Sequence, residues 1–332
     1  MKRSWLPCSR TLSRRAVLLL GGAALFAPPA WPQTPGRTYR IGIITRDRRP
    51  WALLFDELRA NGFVEGKNLV IIGEFGLPMD HYDTAAPELA KELVKAGVDA
   101  ILTTGGPATR AAQRATQSIP ILTTSDDLVG EGFANSLAHP GGNITGIAIL
   151  SPELDRKRQE ILLELVPSAH HVAALADLDT TPPQQLQALE EDARSRNIEL
   201  SIHRAKTREE IVPAIEAARA AGAQAINVLS SLTFYLNRAL IIERAAKAQL
   251  PAVFQFPEWA DQGALVGYGP PVGRYFPQLA RQLVKVLNGT APTDIPVEQP
   301  TAIELAINLK AAAALGVTVP PSLLIRADKV IE

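Results

Sequence analysis

The chain has 332 residues, of which 46% are hydrophobic and 20% are charged, and its 34 basic residues balance 34 acidic ones. This composition is that of a globular protein, and the length allows two domains with a core each. Beyond the N-terminal region no run of about 18 apolar residues occurs, so the sequence predicts no transmembrane helix there.

The first 33 residues have the pattern of an export signal. Five basic residues and no acidic residue precede the apolar segment 16–27, and prolines follow that segment. Charged, apolar and small-residue regions in this order are typical of a secretory signal, and Ser13-Arg14-Arg15 before the apolar segment indicates the twin-arginine type. We therefore predict that residues 1–33 are a signal peptide that is removed and that the mature protein is periplasmic. An uncleaved membrane anchor is the alternative.

Removal of this signal would change the charge and the cysteine content. The remaining chain has 29 basic and 34 acidic residues, a net charge near −5, which argues against binding to nucleic acid. Cys8 is the single cysteine of the chain. The mature protein is therefore predicted to contain neither a disulfide nor a cysteine nucleophile.

Strand-like and helix-like segments alternate from residue 39 onward. Apolar runs of four to eight residues predict buried strands, and longer amphipathic stretches predict helices. The predicted strands are 39–45, 68–75, 99–105, 119–126, 171–177, 198–205, 224–231 and 251–256. The predicted helices are 51–62, 84–97, 107–117, 156–167, 183–197, 208–222 and 233–249. This alternation predicts βαβ units with parallel sheets.

The segment 140–153 interrupts the alternation and divides the chain into two α/β halves. Beyond the crossing Gly267-Tyr268-Gly269, the sequence predicts a helix at 275–289 and a proline-punctuated strand at 293–300. We expect the chain to cross back between the halves here, which makes two discontinuous lobes with a ligand cleft between them. The predicted lobes are 38–147 with 268–300, and 148–267 with 301–332.

Five stretches carry a resemblance to a known family. They are GFVEGKNLVI (62–71), GGPATRAA (105–112), the segment 119–146 with PGGNITG, LLELVP (162–167), and the tail 296–332 with PVEQPT and INLK. Together they resemble the periplasmic substrate-binding proteins of ABC importers, in the group that includes tryptophan- and tyrosine-binding members. The resemblance spans residues 39–332. It implies the type I binding-protein fold, α/β with two Rossmann-like lobes around a ligand, and an ABC permease of the inner membrane as partner.

Two loops depart from the pattern of that family. Asp126-Asp127-Leu128 stands where members commonly have Asp-Pro, and residues 230–234 stand where a loop rich in proline, aspartate and asparagine is frequent. Both loops are expected to face the cleft, so the resemblance does not determine the ligand.

The candidate ligand-binding residues follow the predicted strands, because ligands of open α/β sheets bind at the carboxyl ends of strands. In the first lobe they are Thr45, Arg46, Gly105, Gly106, Ser125 and Asp126. In the second lobe they are Asp177, Ser230, Thr233, Phe256 and Glu258, with Tyr268 on the glycine-flanked crossing. Helix capping and turn formation are the alternatives for the other polar residues, and a solvated loop is the alternative for Arg46. Burial in a lobe core is the alternative for the aromatic residues.

The stretch TTGGPAT, residues 103–109, predicts a helix start that can hold an anion. It lacks the lysine and the glycine spacing of a nucleotide-binding loop. Pro107 fits the first turn of a helix, and the amides of a helix start favour a carboxylate. We therefore expect Gly106, Ala108 and Thr109 to hold the anionic end of the ligand, with a plain tight turn as the alternative.

The sequence shows no motif of a nucleotide-binding enzyme or of an α/β-hydrolase, and its five histidines lack metal-ligand spacing. We expect no cofactor, no metal and no catalysis. The predicted function is capture, by a monomer, of an amino acid or related carboxylate, with an aromatic one favoured by the resemblance, and its delivery to the permease. The alternatives are an exported enzyme on a similar scaffold and a ligand-sensing protein that reports to a receptor.

Overall fold

The computed structural model describes residues 36–45, 51–75, 82–149 and 151–332. The predicted signal peptide with Cys8 and the candidate Arg46 lie outside the described residues. The chain from Gln33 onward forms one compact unit, which contains two β-sheets. None of the helices in the described ranges is both long enough and apolar enough to span a bilayer.

The first sheet has five parallel strands in the order β2-β1-β3-β4-β5. The strands are β1 (Tyr39–Thr45), β2 (Leu69–Phe75), β3 (Ala100–Thr104), β4 (Ile121–Ser125) and β5 (Ile144–Ala148). The helices α1 (Trp51–Ala60), α2 (Tyr82–Lys95) and α3 (Gly106–Ala115) follow β1, β2 and β3. Helices on both faces bury the strands, which explains why β4 is buried along its whole length although three of its five residues are polar.

The second sheet has seven strands in the order β12-β11-β10-β9-β8-β6-β7. Its strands are β6 (His171–Ala176), β7 (Glu199–Arg204), β8 (Ala225–Val228), β9 (Ala252–Phe254), β10 (Val266–Gly269), β11 (Glu304–Asn308) and β12 (Lys329–Ile331). The helices after β5 are α4 (Ser151–Leu165), α5 (Pro183–Ser195), α6 (Arg208–Ala220), α7 (Leu232–Leu236), α8 (Arg238–Lys247), α9 (Val272–Leu287), α10 (Leu309–Ala314) and α11 (Pro321–Arg326). All strand pairs in this sheet are parallel except β10 with β11.

Helix α9 packs against the first sheet although the strands before and after it belong to the second. Its Phe276 ring meets the Trp51 ring of α1 edge to face at 5.3 Å. The chain therefore crosses between the sheets after β5, after β10 and before β11. We call the first sheet with α1, α2, α3 and α9 the first lobe, and the second sheet with its helices the second lobe. Their predicted residue limits stay a prediction, although Tyr268 and Gly269, predicted for the first lobe, pair in the second sheet.

The segment 140–153, predicted as an interruption, contains strand β5. Gly146 in this strand has a φ of 151°, and a Cβ there would overlap the carbonyl of Thr123 on β4. A glycine at this point permits close strand pairing and at the same time hides the strand pattern from sequence reading.

The predicted strand 293–300 is a short 3₁₀ turn, Pro292–Asp294, followed by an extended segment. That segment makes a single bridge to β5, between Ile147 and Glu298. Its prolines have no N–H group to donate to a strand ladder. A side chain supplies a hydrogen bond instead: the Thr145 hydroxyl donates to the carbonyl of Ile295 at 2.8 Å.

Candidate functional site

A cavity of about 70 Å³ lies at the carboxyl ends of strands from both sheets. A single buried water needs about 10–15 Å³, so this central cavity has room for more than one water. Its lining residues are Thr45, Trp51, Thr104, Gly105, Thr124, Ser125, Asp126, Ile149, Ser230, Ser231, Leu232, Tyr235, Gln255, Phe256, Tyr275 and Phe276. The edge at which parallel strands end is the usual place for a ligand in α/β proteins.

Aromatic rings form the apolar walls of the central cavity. On the first lobe, Trp51 and Phe276 pack edge to face, and the indole N–H of Trp51 donates to the Thr45 hydroxyl at 3.2 Å. On the second lobe, Tyr235 and Phe256 pack edge to face with ring centres 5.5 Å apart. Walls of this kind favour a planar apolar group between them.

Three buried polar atoms on cavity-lining residues have no hydrogen-bond partner among the described residues. They are Thr104 Oγ1, Thr124 Oγ1 and Gln255 Oε1. Thr104 and Thr124 are neighbours on the paired strands β3 and β4, whereas Gln255 follows β9 in the other sheet. Buried polar atoms are rarely left unpaired, so these three atoms are suited to bind polar groups of a ligand from both sides.

One hydrogen bond across the cavity joins the two lobes. The Ser230 hydroxyl, after β8, donates to Asp126 Oδ1, after β4, at 2.6 Å. The neighbouring Ser231 instead forms hydrogen bonds within the second lobe. Its hydroxyl donates to Asp177 Oδ2 at 2.7 Å and accepts from the Thr233 amide at the start of α7. The lobes are thus held in contact at residues that line the cavity.

A buried ion pair supports the second-lobe wall. Arg158 and Asp155, one turn apart on α4, are paired, and their side chains are 1% and 0% exposed. The Arg158 guanidinium also donates to the carbonyl of Tyr268 at 2.8 Å and to that of Gln255 at 3.5 Å. Burial raises the pKa of Asp155 to about 6, although Arg158 lowers it in part. The pair therefore ties α4 to the strand ends behind Gln255.

The start of α3, where the sequence predicts an anion site, lies beside a carboxylate of the protein itself. Gly105 has a φ of 79°, a conformation that favours glycine. A Cβ on Gly106 would overlap the carboxylate of Glu131, so this glycine makes room for a side chain of the protein. The Thr109 amide donates to the carbonyl of Gly105 within the helix, and its hydroxyl bonds with Thr103 and Thr123.

The carboxylate of Glu131 is held by the loop that follows β4. It accepts a short hydrogen bond from the Ser125 hydroxyl and a longer one, at 3.4 Å, from the Asp127 amide. Arg110 of α3 lies 3.5 Å from its other oxygen. Burial raises the pKa of Glu131 to about 7, the Ser125 hydrogen bond and Arg110 lower it in part, and Asp126 adds to the rise.

The structure brings six of the predicted site residues together around the central cavity. They are Thr45, Gly105, Ser125, Asp126, Ser230 and Phe256. Seven others do not line it: Gly106, Ala108, Thr109, Asp177, Thr233, Glu258 and Tyr268. The ligand contacts predicted for all of these residues, and for Arg46, stay a prediction.

The residues outside the cavity have structural partners of their own. Ala108 and Thr109 are fully buried in α3. Asp177 accepts from Ser231, Glu258 accepts from the Val272 amide at 2.8 Å, and the carbonyl of Tyr268 accepts from Arg158. Tyr268 was expected on a crossing between the lobes. It lies instead within β10, which pairs with β11.

Sequence reading missed Trp51, Thr104, Thr124, Tyr235, Gln255, Tyr275 and Phe276. The two threonines are the last or next-to-last residues of their strands, and the predicted site residues Gly105 and Ser125 follow them directly. Trp51 and Phe276 read as members of amphipathic helices, and only the packing of α9 on α1 brings them together. The described residues contain no group of three or more histidine, cysteine or acidic side chains that could hold a metal ion.

The cavity between two α/β lobes defines a ligand-binding protein, and comparison with known proteins gives the family. A family model of ABC transporter substrate binding proteins matches residues 54–331. The chain therefore belongs to this family, whose members are ligand-binding components of transport systems and are typically extracytoplasmic.

Relatives and solved structures agree with this assignment. A tyrosine-binding protein of Clostridioides difficile (strain R20291) is 26% identical over 264 residues, which cover 78% of this chain and 74% of that protein. The chain is also similar to a conserved domain protein of Vibrio cholerae (TM-score 0.81, 24% identity, 89% of this chain and 100% of that one). A protein of Streptococcus pneumonia in complex with L-Trp gives a TM-score of 0.79, with 20% identity over 89% and 100% of the two chains. These structures confirm the predicted type I periplasmic binding-protein fold.

Proposed function

We propose that this protein is the exported solute-binding component of an ABC importer, which captures an aromatic amino acid or a related small carboxylate between its lobes and delivers it to the permease. The observation that carries the proposal is the central cavity itself, with unpartnered polar atoms on both lobes and aromatic walls between them. Such a site binds a ligand that is planar in one part and polar in another.

The two relatives named for a ligand support the aromatic subclass. One is a tyrosine-binding protein and the other was solved with L-Trp. In this chain, Trp51 and Phe276 on one wall and Tyr235 and Phe256 on the other supply rings for a flat side chain. Closing of the lobes on the ligand would then supply the form that the permease recognises.

Export to the periplasm is part of the proposal and rests on the sequence of residues 1–33. Their basic, apolar and proline-containing regions have the order of a secretory signal. We propose that the mature protein acts there as a monomer, without a cofactor, metal or catalytic step.

The binding part of this proposal is tested on the mature protein, residues 34–332, by thermal shift followed by calorimetry. We expect L-tyrosine or L-tryptophan, at 100 times its Kd, to stabilise the protein by about 2.7 kcal/mol. For a chain of this size, with an unfolding entropy of roughly 2.1 cal/mol/K per residue, that corresponds to a rise in Tm of roughly 4 °C. The D-enantiomers serve as matched controls and should shift the Tm less, because the polar atoms of the cavity have fixed positions. If no amino acid and no small organic acid raises the Tm, the proposed ligand class is wrong.

A further inference from the structure

A carboxylate of the protein itself lies beside the start of α3. Glu131 lies in the loop after β4, and its side chain folds back so that one oxygen sits against Gly106, where any Cβ would overlap it. Helix α3 is ten residues long, and its N-terminal end carries a partial positive charge that favours an anion. A ligand carboxylate at this position would displace or repel that of Glu131.

The other oxygen of Glu131 determines how Ser125 faces the cavity. The Ser125 hydroxyl donates its only hydrogen to Glu131 Oε1. Ser125 lines the central cavity and is buried, so with Glu131 ionised the oxygen of Ser125 has only lone pairs left for a ligand. It can then accept a hydrogen bond but cannot donate one.

We propose that Glu131 is a specificity-determining positioning residue: through Ser125 and the start of α3, it makes this end of the cavity accept an amino group or another N–H or O–H donor of the ligand and reject a carboxylate. The inference rests on the proposed function, because it concerns the ligand of the same cavity. It reverses the ligand orientation expected from the sequence, since the anionic end of the ligand must lie away from α3.

The charges around Glu131 give the direction of its pH dependence. Arg110 of α3 favours the ionised form, and Asp126 at the end of β4 disfavours it. The carboxylate of Asp127 is turned away and accepts from the Gly130 amide at 2.9 Å. Burial outweighs the favourable contacts and raises the pKa of Glu131 to about 7. Lowering the pH below 7 therefore protonates Glu131, which can then donate to Ser125 and release the serine hydrogen toward the ligand.

Three matched compounds distinguish the contribution of the amino group of the ligand from that of its carboxylate. L-Tyrosine has both an amino group and a carboxylate, tyramine has only the amino group, and 3-(4-hydroxyphenyl)propionate has only the carboxylate. Tyramine has an alkyl amine like that of lysine, with a pKa of about 10.4, and the propionate has a carboxyl like that of glutamate, with a pKa of about 4.3. Both groups stay mostly ionised between pH 5.5 and 8.5, so a pH effect on the binding of these two compounds comes from the protein. Calorimetry at several pH values measures the Kd of each compound.

For the wild type we expect tyramine to bind more tightly than the propionate at pH 8.5. Its affinity should fall by about tenfold as the pH is lowered to 5.5, which is the difference between a charge-assisted and an ordinary hydrogen bond. In Glu131→Gln the affinity for tyramine should change by less than about twofold over the same range. Glu160→Gln removes a half-buried acid paired with Lys157 and Arg196 and should behave as the wild type.

A second readout does not need a ligand. A carboxyl group whose pKa is raised by folding stabilises the folded state at low pH and loses that contribution as the pH rises toward its folded pKa. The Tm of the wild type should therefore fall relative to that of Glu131→Gln as the pH rises from 5.5 to 8.5.

Each outcome of these experiments either supports or overturns the inference. Binding of the propionate with at least the affinity of tyramine at pH 8.5, or an unchanged pH profile in Glu131→Gln, overturns the inference. If none of the three compounds binds, the proposed ligand class fails, and the Tm profiles judge Glu131 independently: parallel profiles of wild type and Glu131→Gln overturn its role, and converging ones at low pH support it.

Discussion

Replacing Arg158 with methionine is expected to lower the free energy of unfolding by about 3–5 kcal/mol, because it leaves the buried carboxylate of Asp155 without its cationic partner. Both side chains are almost completely excluded from solvent. The change also removes the hydrogen bonds from Arg158 to the carbonyls of Tyr268 and Gln255. Because Gln255 lines the central cavity, we expect weaker ligand binding as well.

Urea denaturation measures this loss, and Arg196→Met is the matched control. Arg196 pairs with Glu160 and Asp192 at the surface, where its side chain is 40% exposed, and exposed pairs contribute about 0–1 kcal/mol. Without Arg158 the pKa of Asp155 rises above its present value of about 6. A raised carboxyl pKa favours folding at low pH, so the Arg158→Met variant should be less destabilised at pH 5.5 than at pH 8. Equal losses for the two arginine variants would contradict this account of the ion pair.

Replacing Thr104 or Thr124 with valine is expected to have opposite effects on stability and on binding. Each hydroxyl is buried without a partner among the described residues. Its removal should raise the free energy of unfolding of the ligand-free protein by about 1 kcal/mol. If the same hydroxyls bind polar atoms of the ligand, each valine should also lower the ligand affinity by about tenfold, which corresponds to about 1.4 kcal/mol.

The control for this pair is Thr103→Val on the same strand. The Thr103 hydroxyl lies 2.9 Å from that of Thr109, is fully buried, and is not on the cavity wall. We expect this variant to be less stable by about 1 kcal/mol and to keep the affinity of the wild type within about twofold. Calorimetry and urea denaturation on the three variants separate the two effects. A destabilised Thr104→Val with unchanged affinity would show that this hydroxyl does not serve a ligand.

Much of the fold could be predicted because buried parallel strands are written as short apolar runs. The run 39–45 became β1 without a change in its limits. Strand β5 could not be predicted in the same way, because Gly141, Gly142 and Gly146 make its surroundings look like a loop, and only the neighbouring strand explains Gly146. The proline-rich segment 293–300 was predicted as a strand but does not form one. Its apolar residues are buried without the hydrogen-bond ladder of a strand.

The candidate site was harder to predict from the sequence, because its residues lie far apart along the chain. The rule that ligands bind at strand ends selected the loops after β1, β3, β4, β8 and β9, and the structure brings residues of these loops together at the central cavity. The anion site at α3 was predicted from local residues alone, and Glu131, whose carboxylate lies against Gly106, is 25 positions further along the chain. No pattern of neighbouring residues in a sequence predicts a contact between residues so far apart.

The same limit applies to the histidines. The histidines lack metal-ligand spacing in the sequence, yet β6 and β7 pair so that the Nε2 atoms of His171 and His203 lie within 3.0 Å of the Ser201 hydroxyl. Strand pairing, which the sequence does not state, decides which side chains on neighbouring strands meet.

A crystal structure of the mature protein with its tightest aromatic ligand tests the central claim most directly. We predict that the ring lies between the aromatic walls of the two lobes. The polar atoms of the ligand should lie about 3 Å from Thr104 Oγ1, Thr124 Oγ1 and Gln255 Oε1. A ligand bound elsewhere on the protein, with these three atoms still unpartnered, would contradict the account.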